Sequence, residues 1–326
     1  MRRLLIFASI ATVALGILTG CVGVTVDEAR VFQPQPVANK ANTTEEMYIE
    51  WQDVFERASN YTFTNNINND HSTIRISKED FIPAELRHGF WADGTIAVTE
   101  FSTTSFEKSA PDRPLVVHCG GNSSDRYNSG TFFGLKVLPY ADLVIFDYPG
   151  YGDSPGTPSA ESFEALIDNL GSELNDRRAQ TNRPLILWGY SLGGFVCAEL
   201  LGAIDKVDAI IIESSAHDAK GAARQLVPAI LRPFLRVRLS PTLSTYNNVD
   251  ALRGYQGSVL VLAGADDGIL PSKLSQELVD GLREREVSVT YHEFADGNHA
   301  NLPTLDAYTE VLDQFFSQWR NGDPHR

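Results

Sequence analysis

The sequence predicts an α/β protein: a mostly parallel central sheet with helices on both faces. Two observations point there first. Short apolar runs recur at Leu115–His118, Leu143–Asp147, Leu185–Trp188, Ala209–Ile212, Val259–Ala263 and Val287–Tyr291. Longer helical stretches, Ser159–Gln180, Leu192–Ala203, Ser272–Glu286 and Thr304–Trp319, alternate with them. The runs are continuously apolar, as in strands buried on both faces, and helices between such strands build a parallel sheet. A third observation is composition. Hydrophobic residues are 43% and charged residues 21% of 326, which suits a large folded domain and excludes disorder.

Charge and cysteine usage narrow the function. The net charge of -15 repels phosphate backbones, so no nucleic-acid partner is expected. Cys21, Cys119 and Cys197 are too few for a disulfide scaffold and lack zinc-ligand spacing. No fixed repeat period is visible, which excludes solenoids and propellers.

Taken in order, the chain opens on an address. Arg2 and Arg3 precede a weakly polar run from Leu4 to Gly20, the layout of a secretory leader. The run ends in Leu18-Thr19-Gly20-Cys21, which resembles the lipobox of bacterial lipoproteins. That resemblance implies cleavage before Cys21 and a lipid on its thiol. Loss of residues 1–20 removes two arginines and no acid, moving the net charge from -15 to -17. Cys119 and Cys197 then read as unpaired structural thiols. Val22 rather than Asp after the cysteine implies outer-membrane sorting in a diderm cell. Residues 21–44, with Gln33-Pro34-Gln35-Pro36, have no strong period and read as a lipidated tether.

The body, residues 45–326, reads as one catalytic domain. Glu45 to Ala58 has helical spacing at Met47, Trp51, Val54 and Phe55. Ile74 to Phe101 reads as extended, with a turn at Trp91-Ala92-Asp93-Gly94. After these come the alternating strands and helices, interrupted by a small helical lid at about 214–250. Within the lid, Ala219–Val249 holds Lys220, Arg224, Arg232, Arg236 and Arg238 and no acidic residue. Leu226, Val227, Ile230, Leu231, Phe234 and Leu235 have helical spacing that Pro228 and Pro233 should split. Such a lid is either a solvated amphipathic cap or a basic face for anionic headgroups or a charged substrate.

In an open α/β sheet the functional groups belong at the carboxyl ends of the strands. There, Leu185–Trp188 runs into Gly189-Tyr190-Ser191-Leu192-Gly193, and a helix follows. A serine on so tight a turn projects its hydroxyl above the sheet, and glycines two residues away avoid collision across it. A hydroxyl needs a base oriented by an acid before it can attack. Asp266 and Asp267 follow Val259–Ala263, and His299 follows the last strand. The order Ser191, Asp267, His299 matches neither the chymotrypsin nor the subtilisin order.

With these segments in place the chain resembles the α/β-hydrolase superfamily from Thr95 to Trp319. The resemblance rests on Gly120-Gly121-Asn122, Asp147-Tyr148-Pro149-Gly150-Tyr151-Gly152-Asp153-Ser154, the serine turn, and the acid and histidine loops. It looks most like serine-aminopeptidase-like and acyl-protein-thioesterase-like, Bem46-type hydrolases. Gly120 stands where that branch has His, and Pro149 where it has Arg. The family's Asp-x-x-x-Pro spacing to Pro271 favours Asp267 over Asp266 as the acid, and Glu213 is a further alternative. The resemblance also implies an oxyanion hole from the N–H groups of Leu192 and Asn122. His118 and His217 read as structural histidines near the site.

The expected function is a serine hydrolase acting on ester or thioester bonds through a Ser-His-Asp triad, with short or medium acyl esters first. Peptidase or perhydrolase chemistry on the same triad is an alternative, and so is a non-catalytic lipoprotein that binds an envelope component. No cofactor or metal is expected. Gly150-x-Gly152-x-x-x-Gly156 lacks the dinucleotide spacing, and Pro155 and Pro158 break its entry to a helix. The expected partners are a small acyl substrate and the membrane, through a lipid anchor of the bacterial cell envelope.

Overall fold

The structure, a computed structural model, describes residues 23–34, 60–67, 70–77, 85–103, 113–126, 136–232 and 234–320. The leader, Cys21 and the helix expected over Glu45–Ala58 lie outside these residues. In chain order the described elements begin with β1 (Gly23–Val26), α1 (Glu28–Val31), and the antiparallel hairpin β2 (Asn60–Ile67) and β3 (Asp70–Ser77). Next come β4 (Glu85–Trp91), β5 (Ile96–Ser102), β6 (Leu115–Cys119), β7 (Asp142–Phe146), α2 (Ala160–Thr181), β8 (Leu185–Tyr190) and α3 (Leu192–Ala203). The remainder is β9 (Ala209–Glu213), α4 (Ala219–Gln225), β10 (Arg236–Leu239), α5 (Asn248–Ala251), β11 (Ser258–Gly264), α6 (Ser272–Glu284), β12 (Val289–Phe294) and α7 (Asp306–Arg320).

Eight strands form the main sheet in the order β12-β11-β9-β8-β6-β7-β5-β4. Neighbours from β7 to β12 pair in parallel, while β5 is antiparallel to both β4 and β7. This is the mostly parallel sheet that the apolar runs predict. The last strand is displaced along the chain, running Val289–Phe294 where Val287–Tyr291 is expected.

Side-chain alternation divides the core between the two faces. Leu185, Leu187, Ile210, Ile212, Val259 and Val261 bury against Leu170 and Leu174 of α2, Val196 and Leu200 of α3, and Leu278 and Leu282 of α6. The intervening residues Ile186, Trp188, Ile211, Leu260 and Leu262 bury against Tyr308, Leu312 and Phe316 of α7. Each strand is therefore apolar on both sides, which is why periodicity alone reads it as a continuous run. Helix α2 starts where Ser159 and Ser162 cap each other's backbone N–H, and it stops at Asn182 in the left-handed region, φ 49°.

Two expectations change. The lid is only partly helical: α4 stops at Gln225, before Pro228 as the sequence suggests, but residues 236–239 form the strand β10. Arg236-Val237-Arg238-Leu239 alternates with period two, the arginines exposed and Val237 and Leu239 packed on the core. The segment read as a free tether is docked over residues 23–34. β1 pairs with β10 in parallel, from Gly23 with Arg236 to Val26 with Leu239. Beyond it, Ser240 donates to Glu28 Oε1 at 2.8 Å, and Phe32 is buried with its ring 4.3 Å from that of Phe163.

Candidate active site

Ser191, Asp267 and His299 each stand on a turn or loop past a strand's carboxyl end. Ser191 takes φ 54° and ψ -113°, a left-handed backbone that a non-glycine residue adopts only under strain. Its surroundings hold it there. Ser191 N–H donates to Glu213 O at 2.9 Å, and Gly194 N–H and Ser215 Oγ donate to Ser191 O at 3.1 and 2.8 Å. The flanking glycines are required by space. A Cβ on Gly193 would lie 1.9 Å from the Cys119 carbonyl oxygen, and one on Gly189 2.3 Å from that of Gly193. Ser191 as a residue remains partly exposed.

His299 Nε2 lies 3.1 Å from Ser191 Oγ, and His299 Nδ1 lies 2.7 Å from Asp267 Oδ2. The three side chains come from positions separated by 76 and 32 residues and meet in one hydrogen-bonded line. Asp267 is buried, and its second oxygen accepts N–H groups of Ile269 and Leu270 at 2.8 and 2.7 Å. Those two donors fix the carboxylate so that one oxygen faces the imidazole. The histidine loop is folded by Asn298 Oδ1, which accepts N–H groups of Ala300 and Asn301 at 2.9 Å each. Tyr190 OH donates to the His299 carbonyl at 2.9 Å, fastening the His299 loop to the turn that carries Ser191.

The alternative acids lie elsewhere. Asp266 is exposed. Glu213 is buried behind the serine turn, where its Oε2 accepts Trp188 Nε1–H at 3.1 Å and Tyr308 O–H at 2.8 Å. Burial pushes its carboxyl up to about 7, against the pull of those two donors. His118 is buried beside Trp188 in β6, and burial pushes its imidazole down to about 3, so it stays neutral. His217 pairs with Asp218 at 3.1 Å and Glu277 at 3.4 Å, and its hydrogen bond to Asp218 leads in raising its pKa.

Of the two expected oxyanion donors, Leu192 directly follows the serine. Leu192 opens α3, at a position whose N–H has no carbonyl one turn back. The glycine loop approaches closely: a Cβ on Gly121 would sit 3.5 Å from Ser191 Cβ and 2.8 Å from the Tyr190 ring. Asn122 turns its side chain outward, where Oδ1 accepts Tyr151 O–H at 2.9 Å and Gln33 N–H at 3.0 Å. Tyr148 OH donates to Gly120 O at 2.6 Å. The Asp147–Ser154 segment thus supports the glycine loop through two tyrosines. It is itself wound around Asp147, which accepts N–H groups of Arg126 and Asp153 and an ion pair from Arg126.

Cys119 and Cys197 correct an expectation, because they form a disulfide with Cα atoms 6.2 Å apart. Strand β6 ends at Cys119 beside the first turns of α3, so the bond ties the strand feeding the glycine loop to the helix behind Ser191. Sequence spacing of 78 residues gives no sign of this pairing. Among the described residues, no group of three or more His, Cys, Asp or Glu is arranged to hold a metal ion.

A sheet of this order, with the serine turn at its centre, is that of the α/β-hydrolase fold. The chain has the α/β-hydrolase fold, and residues 115–246 match the model of the Alpha/beta hydrolase family. The protein Rv2307c of Mycobacterium tuberculosis is 29% identical over 177 residues, covering 52% of this chain and 58% of that one. The lysophosphatidylserine lipase ABHD12 of Danio rerio is 27% identical over 220 residues, covering 64% and 55%. The chain thus spans a little over half the length of these relatives. Among solved structures, the Pyrococcus furiosus esterase Pf2001 superposes with a TM-score of 0.54 at 15% identity, covering 74% of this chain and 93% of that one.

Proposed function

We propose that the protein is a serine hydrolase that cleaves acyl bonds, ester or thioester, through an acyl-enzyme. The observation that carries this is the unbroken line Ser191 Oγ, His299 Nε2, His299 Nδ1, Asp267 Oδ2 at 3.1 and 2.7 Å. With its proton on Nδ1 toward the carboxylate, His299 offers a lone pair at Nε2. That nitrogen takes the Ser191 proton as Oγ bonds the substrate carbonyl carbon. The carbonyl oxygen becomes an oxyanion facing the N–H groups of Leu192 and Asn122, each donor worth about 100- to 1000-fold in rate. The leaving alkoxide or thiolate departs with the proton from His299. Water, deprotonated by the same nitrogen, then attacks the acyl carbon, releases the acid and restores Ser191.

The leader and Cys21 support placement of the enzyme on the bacterial cell envelope by a lipid anchor, and the Cys119–Cys197 disulfide fits an oxidising compartment. The lipase among the relatives makes a single-chain lipid ester the first substrate to try beside short and medium acyl esters. The test is a fluorophosphonate probe applied to the full chain. Labelling of the wild type and none of Ser191→Ala is expected. No labelling of either would overturn the enzyme and leave a binding protein on a hydrolase fold.

A further inference from the structure

The cap carries a surface that the chemistry at Ser191 does not use. Leu226, Ile230 and Phe234 are 61%, 80% and 49% exposed, and with Phe90 they are the large apolar side chains most open to water among the described residues. They lie between Arg224 and Arg236, in the stretch Ala219–Val249 that holds five basic residues and no acidic one. The rest of the chain makes this unusual: the net charge is -15 overall. Arg224, Arg236 and Arg238 are exposed and enter no ion pair among the described residues. Arg236 and Arg238 point the same way from β10, because Val237 and Leu239 take the inward face.

Apolar side chains interleaved with unneutralised arginines fit the boundary of an anionic bilayer, where rings and aliphatic chains enter the acyl region and guanidinium groups meet lipid phosphates. We propose that the cap face formed by Leu226, Ile230, Phe234, Arg224, Arg236 and Arg238 docks on an anionic lipid surface. Chain geometry agrees. Gly23 is the register partner of Arg236 in a parallel pair, and it lies two residues after Cys21 in sequence. Two residues reach at most about 7 Å. A lipid on Cys21 would therefore enter the bilayer at the same edge of the cap. The docking face itself does not depend on that lipid, or on the hydrolase reading.

The test uses the full chain reconstituted into vesicles of phosphatidylcholine, with or without phosphatidylglycerol, and reads amide hydrogen exchange. Residues 226–238 should exchange at least about 5-fold more slowly on vesicles with phosphatidylglycerol, the factor one contacting arginine supplies. The double variant Arg236→Gln/Arg238→Gln should lose that difference while β8 and β11 keep their protection. Ile230→Ser/Phe234→Ser should lose it as well. Equal exchange on the two vesicle types overturns the proposal, and so does a lipid dependence that survives in Arg236→Gln/Arg238→Gln. If exchange is indifferent to lipid but the arginine variant raises KM for an anionic soluble ester over a neutral one, the basic face serves substrate and the proposal falls. Fluorophosphonate labelling, read separately, reports on Ser191 and is independent of each of these outcomes.

Discussion

Glu213→Gln isolates the energetics of the carboxyl buried behind the nucleophile. Burial moves its pKa from 4.5 to about 7 in the folded protein, whereas the unfolded chain keeps an ordinary value. Between these values the folded state holds a proton that the unfolded state has lost. Stability from this group is thus fully present below about pH 4.5 and disappears as pH rises through about 7. A displacement of that size corresponds to about 3 kcal/mol as an upper figure. Glutamine has the same shape, and its amide oxygen can accept from Trp188 and Tyr308, yet it does not titrate. Urea denaturation at pH 5 and pH 8 gives the comparison. The wild type should lose about 2–3 kcal/mol more than Glu213→Gln between the two, because other titrating groups contribute to both. Equal slopes would falsify the argument, since they would mean that the buried carboxyl ionises as freely folded as unfolded.

Asp267→Asn should lower kcat/KM on a chromogenic ester by about 10000-fold through the wrong imidazole tautomer, whereas Asp266→Asn should leave it unchanged; the reverse pattern would exchange their roles. Gly193→Ala pushes a methyl into the Cys119 carbonyl and should cost at least about 1–3 kcal/mol in thermal unfolding, with loss of probe labelling. A variant that keeps both would contradict the packing of the serine turn. Replacing Cys119 and Cys197 together by Ala should destabilise the fold by about 2–5 kcal/mol in urea, and an unchanged midpoint would argue that the bond does not form in solution.

The parts of this molecule legible in sequence are those whose signal is local. Strands such as Leu185–Tyr190 and Ala209–Glu213 are uniformly apolar because both of their faces are covered, and the serine turn declares itself through two glycines that space requires. Asp267 and His299 stand out in sequence because each lies in a loop that follows an apolar strand. Contacts between distant stretches left no comparable mark. Cys119 and Cys197 read as separate apolar-site thiols, and the Tyr190 hydroxyl on the His299 carbonyl depends on a loop 109 residues away. The cap was legible in part: the break at Pro228 is written in the sequence, but the strand β10 is not, because its partner Gly23–Val26 comes from the far end of the chain.

That arriving strand has a practical consequence. A shortened chain beginning at Glu45 would leave the β1-facing edge of β10 bare, and bare edges recruit other chains. It would also remove the Gln33 N–H from Asn122 and the Phe32 ring from Phe163, loosening the loop beside the nucleophile. Poor behaviour or weak turnover in such a fragment would report the missing ribbon and not the competence of the intact protein.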